Sequence, residues 1–131
     1  MGSKNRIYLG IFSNIILHFM RNIFTKNQIH ITKNKYNKIL NKHNEVKVLL
    51  TDNFQDVIDN TLATCEYSQE GLYNFISIVN DKYIIYSISS NHYYTEVATL
   101  FYAKKRLLKK CLETITFFNE KKKKDLVDYL N

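Results

Sequence analysis

The sequence predicts an α+β domain built on an antiparallel sheet, and three observations lead there. Two β-rich runs, YNFISIV and KYIIYSIS, flank an Asn80-Asp81 pair suited to a two-residue turn. A further β-branched and aromatic segment opens the chain, and the apolar residues after position 95 recur at helical spacing. Strands clustered in sequence, with helices between and after them, fit a sheet with helices packed on it. At 131 residues the chain has the length of one domain, and 45% hydrophobic with 14% aromatic residues supply a core without metal or disulfide.

Met1-Gly2-Ser3 reads as an expression scar and is set aside, leaving residues 4–131 as one domain. RIYLGIFSNIILHFM, residues 6–20, divides into two strand-like runs about Ser13-Asn14, which predicts a hairpin. Residues 21–51 are polar and read as an insertion or a poorly defined segment, although QIHIT could extend a strand and Tyr36, Ile39, Leu40, His43, Lys47 and Leu50 form a thin helical stripe. Asp52 stands three residues before Gln55, a capping-box arrangement. Phe54, Val57, Ile58 and Leu62 then follow at helical spacing and predict a short helix over residues 53–62. An extended piece is expected around residues 64–67.

In the central hairpin, a turn at Asn80-Asp81 sets Val79, Ser77, Phe75 and Tyr73 opposite Lys82, Ile84, Tyr86 and Ile88 on one face. Ile78, Ile76 and Asn74 meet Tyr83, Ile85 and Ser87 on the other. Both faces are mostly apolar, as in a strand pair covered on both sides. From Thr95 to about Phe118 a long amphipathic helix is predicted from Val97, Leu100, Phe101, Leu108, Cys111, Leu112 and Ile115. DLVDYLN closes the chain as a short helix.

The search for chemistry excludes more than it finds. His18, His30, His43 and His92 show no metal-ligand spacing with one another or with cysteine, and no cofactor is expected. Outside the scar only Gly10 and Gly71 remain, too few for a glycine-rich phosphate loop. No nucleophile motif is present, so the chain is expected not to be an enzyme and to take no small-molecule substrate. Cys65 and Cys111 read as small core residues in a reducing compartment. No apolar run is long enough to span a membrane.

The formal charge is +7, and Lys104, Lys105, Arg106, Lys109 and Lys110 gather on one helical side, with Lys121 to Lys124 beyond. Such a surface can meet anionic lipid. The plainer reading is a solvated outer face written by the codon bias of an AT-rich gene. Nucleic acid is not expected, because no stacking aromatics alternate with these lysines.

GLYNFISIVNDKYIIYSISSNHYYTEVATLFYAKKRLLKKC resembles the middle of a longin domain, the N-terminal module of synaptobrevin-like R-SNARE proteins. A tyrosine-rich strand, a polar turn, a second strand, a polar loop and an apolar helix start at Ala98 to Phe101 follow in the family's order, and RIYLGIF is similar to its first strand. The resemblance implies a five-stranded antiparallel sheet sandwiched between one helix and two helices. It implies a regulatory and protein-interaction role in SNARE-mediated membrane fusion and sorting, on the cytosolic face of endomembranes. The implied partners are a SNARE helix in cis, or coat and tether proteins. Adaptor subunits and TRAPP-type tethering subunits share related folds and are the nearest alternatives. Helix-in-groove recognition uses apolar anchors, and Phe54, Val57, Ile58, Leu62 and Tyr67 are the candidate receiving residues, unless they only seal the core.

Overall fold

A computed structural model describes residues 5–21, 23–24, 26–66, 71–90 and 94–131. Seven strands form one mixed sheet: β1 (Arg6–Ile11), β2 (Gln28–Thr32), β3 (Thr61–Cys65), β4 (Tyr73–Val79), β5 (Lys82–Ser90), β6 (Thr95–Tyr102) and β7 (Thr116–Phe117), in the order β1-β2-β6-β5-β4-β3-β7. Six α-helices accompany them: α1 (Asn14–Phe19), α2 (Lys33–Lys42), α3 (Lys47–Thr51), α4 (Phe54–Asp59), α5 (Lys105–Cys111) and α6 (Glu120–Leu130). The sheet-plus-helices class matches the sequence reading. Five antiparallel strands do not, since the sheet has seven and β2 runs parallel to β6 through Ile29–Thr95 and His30–Glu96.

The central hairpin has the predicted register throughout, from Val79–Lys82 to Tyr73–Ile88. Asn80 and Asp81 take φ values of 51° and 64°, the left-handed pair that a two-residue hairpin turn needs and that Asn and Asp tolerate. Phe75, Ile84, Tyr86 and Ile88 enter one core, and Ile76, Tyr83 and Ile85 enter a second on the opposite face. The first core is closed by side chains of α1 to α4, among them Ile16, Ile39, Leu50 and Val57. The second is closed by Leu108 and Cys111 of α5 and by Leu126 and Leu130 of α6. Two helices thus cover one face and four short ones the other, so the arrangement is not one helix against two.

The predicted hairpin over residues 6–20 is instead strand β1 followed by helix α1. Ser13 does not turn a hairpin but caps the helix, its Oγ accepting from the Ile16 N–H at 3.4 Å; serine is favoured at both kinds of site. The antiparallel partner of β1 is β2, the QIHIT segment. Residues 21–51 are therefore no insertion, because β2, α2 and α3 bury Ile29, Ile31, Ile39, Leu49 and Leu50.

The long helix over residues 95–118 is replaced by β6, α5 and β7. A β-bulge explains the misleading period: Ser87 pairs with Thr99 and Ile88 with Val97, so Ala98 is the extra residue. The bulge turns Val97 and Leu100 toward the same core although they are three apart, which is the spacing of a helix face.

The predicted helix over residues 53–62 ends early, at Asp59, and Thr61 begins β3. Its capping box does not form. Asn53 stands at the N-cap without a side-chain bond, and the Gln55 amide reaches β1 instead. The Ile11 N–H donates to Gln55 Oε1 at 2.9 Å, and Gln55 Nε2 donates to the Ile11 carbonyl at 3.0 Å. This amide stands in for one residue of a neighbouring strand and closes the sheet edge there. Gly10 makes room for it, since a Cβ would lie 2.5 Å from Gln55 Oε1 and 2.9 Å from Ile58 Cδ1.

Candidate functional site

The candidate receiving residues lie inside the protein. Phe54, Val57 and Ile58 project from α4 into the first core, each 3% exposed or less, and Phe54 meets the Tyr86 ring at 5.6 Å. Leu62 is equally buried but belongs to the second core, so the four form no common surface. Tyr67 lies outside the described residues. The apolar stripe that suggested a docking helix is the stripe by which α4 seals the sheet.

Exposed apolar side chains occur elsewhere, on α1. Its inward anchor is Ile16, whereas Ile15 and Phe19 stand one turn apart on the outer side, 56% and 50% exposed. Phe19 leans on Phe118 at 4.9 Å between ring centroids. Beside Ile15 runs a groove of about 220 Å³ floored by Leu62, Ile78 and Phe118 and edged by Asn60 and Lys122. Reading SNIILHF as a strand hid this pair, because a strand also puts residues 15 and 19 on one face but with Leu17 between them, whereas the helix turns Leu17 away and leaves the two alone on the outer side.

The basic residues stand on a short helix that begins at Lys105, not on a long one from Thr95. Lys104, Lys105, Arg106, Lys109 and Lys110 are all exposed, and Leu108 and Cys111 point inward. Residues Lys121 to Lys124 are likewise exposed on α6, which packs on the same face of the sheet. From Lys104 to the end of α6 the chain carries nine of the 19 cations and only four of the 12 acids. The ion pairs among the described residues, Arg6–Glu96 and His43–Glu45, lie elsewhere. The first turn of α5 is basic and contains no acid, which opposes the helix dipole. Lys105 Nζ sits 4.8 Å from the centroid of the Tyr129 ring.

Cys65 and Cys111, free and buried, meet in the second core. The hydrogen bond with Cys111, together with burial, pushes the Cys65 thiol up from its ordinary value. Among the described residues no group of three or more His, Cys, Asp or Glu side chains is placed to hold a metal ion, and no helix is long and apolar enough to cross a membrane. No protein-family model, curated protein or solved structure matches the chain.

Proposed function

We propose that this chain is a non-enzymatic interaction module of longin type, serving vesicle trafficking on the cytosolic face of endomembranes. Its working site is the groove beside α1, which receives the apolar face of an amphipathic helix. That helix is a SNARE motif in cis or a segment of a coat or tether protein; in an adaptor or TRAPP-type subunit it would belong to another chain. The observation that carries this reading is the Ile15 and Phe19 pair, two large apolar side chains held out to solvent on one helix face beside a groove. The longin-like hairpin at the sheet centre and the two helices on one sheet face add support. Titration of the chain with a labelled SNARE-motif helix measures the reading. Paired Ile15→Asp and Phe19→Asp substitutions will weaken binding by about ten-fold or more while the fold survives, since both positions are exposed. Binding that ignores both substitutions would remove the groove from consideration.

A second reading, a small basic domain held on anionic lipid, is favoured by the unpaired cations of α5 and α6. Each lysine near an anionic surface contributes about 1 kcal/mol, a contribution screened by salt. Lys105→Glu with Lys109→Glu is expected to abolish sedimentation with phosphatidylserine vesicles. Retention of the doubly reversed chain on vesicles would exclude this surface.

A further inference from the structure

Among the described residues, no helix covers one side of the sheet along β1 and β2. Ile7 and Leu9 of β1 and Ile29 and Ile31 of β2 face the first core, so strand alternation turns Arg6, Tyr8 and His30 to the opposite face. The second core covers that face only along β3, β4, β5 and the end of β6, and takes no side chain from β1 or β2. Tyr8 is 55% exposed there.

Strand register assembles an aromatic row on this open face. Tyr8 pairs with His30, and His30 with Glu96, which brings Tyr94 alongside. The Tyr8 and His30 rings are 5.7 Å apart and the His30 and Tyr94 rings 6.1 Å, both edge-on. The Arg6 guanidinium lies 3.6 Å over Tyr94, and its Nε donates to Glu96 Oε2 at 2.7 Å, which fixes the cation against the ring. His30 Nδ1 is enclosed and has no hydrogen-bond partner among the described residues. Two hollows flank the row. One, of about 470 Å³, is lined by His30 and Tyr94 with Lys26, Asn27 and Gln28. The other, of about 330 Å³, is lined by Arg6 and Thr32 with Asn5, Lys33 and Asn34.

We propose that this face binds single-stranded nucleic acid. Tyr8 and the Arg6–Tyr94 pile offer flat surfaces on which unpaired bases stack. The carboxamides of Asn27, Gln28 and Asn34 can hydrogen-bond base edges, and Lys26 and Lys33 stand at the two ends for phosphates. A neutral sugar would also stack on such rings, but cations at both ends select a polyanion. Strands about 4.8 Å apart make three strands wide enough for roughly two to three nucleotides. The ground for setting nucleic acid aside was the lack of aromatics among the lysines along the chain; the sheet interleaves rings and cations across strands instead. The face shares no residue with the groove beside α1, so the two proposals stand or fall separately.

Anisotropy of short labelled oligouridine RNA, and of the matching oligothymidine DNA, tests the site at low ionic strength. Binding is expected, and Tyr8→Ala should weaken it by roughly five- to hundred-fold, the range of one stacked base. Tyr8→Phe should bind as the parent does, and Tyr8→Ala should melt near the parent because the ring is exposed. Lys105→Glu with Lys109→Glu should change little. Tighter binding of RNA or of DNA identifies the sugar and supports the site in either case. No binding to either strand overturns the proposal, and so does binding lost with the lysine reversals but indifferent to Tyr8→Ala.

Discussion

Replacing Phe75 by alanine will destabilise the protein by about 3 to 5 kcal/mol, the range for a fully buried phenylalanine. Phe75 is 0% exposed at the middle of β4, and four rings converge on it. Tyr86 stacks on it at 5.2 Å from β5, Phe12 and Phe24 approach at 5.9 and 6.1 Å from either side of α1, and Phe118 reaches it at 6.4 Å from beyond β7. Early, middle and late chain segments thus meet on one side chain, and truncation would leave a void that none of them can fill without moving. A domain of this size is stable by about 5 to 15 kcal/mol, so the loss is about a fifth of the total or more. Urea unfolding should show a lower midpoint at an unchanged slope. Ile85→Val, in the other core, should cost only about 0.5 to 1.5 kcal/mol. Equal losses at the two positions would mean that the aromatic cluster holds nothing special together.

The central hairpin was legible because everything that sets it is local. A two-residue turn fixes the pairing, and a one-residue slip would exchange the two apolar faces. Strand β6 was illegible for an equally definite reason, since the bulge at Ala98 shifts the side-chain phase and writes a helical interval into a strand. Residues 21–51 looked polar because their core residues are split among short elements of different period. Ile29 and Ile31 alternate as in a strand, whereas Ile39 belongs to α2 and Leu49 and Leu50 to α3, and no single window contains a full pattern.

The surfaces divide along the same line. The cations of α5 were readable because a run of lysines on a helix is exposed wherever the helix packs. Phe54, Val57 and Ile58 misled because an apolar helical stripe looks the same whether it awaits a partner or already covers a sheet. Arg6, Tyr8, His30, Tyr94 and Glu96 gave no signal at all. They come from three separate parts of the chain, and only the pairing of β1 with β2 and of β2 with β6 makes them neighbours.

That same buried packing makes the protein sensitive to alkali. Tyr86 is fully enclosed, and burial, with a smaller push from Asp59, raises its phenol above the ordinary tyrosine value. The geometry fits a neutral phenol, since Thr61 Oγ1 donates to the Val57 carbonyl at 3.1 Å and can accept from the Tyr86 hydroxyl at 2.7 Å. A phenol raised in the folded state stabilises fully below the unfolded value of about 10 and loses that contribution as pH climbs above it. There the unfolded chain releases a proton that the folded chain keeps, so stability falls by about 1.4 kcal/mol per pH unit for this group. Burial also raises Tyr83, which steepens the fall. Tyr86→Phe isolates the effect. At neutral pH the variant loses one buried hydrogen bond, about 1 kcal/mol, while above pH 10 it escapes the titration. The two unfolding curves should therefore converge and cross near pH 11, roughly where a loss of 1.4 kcal/mol per unit offsets the missing bond. Denaturant melts at a series of pH values measure this directly, and parallel curves for the two proteins would show that Tyr86 ionises as freely in the folded chain as in the unfolded one.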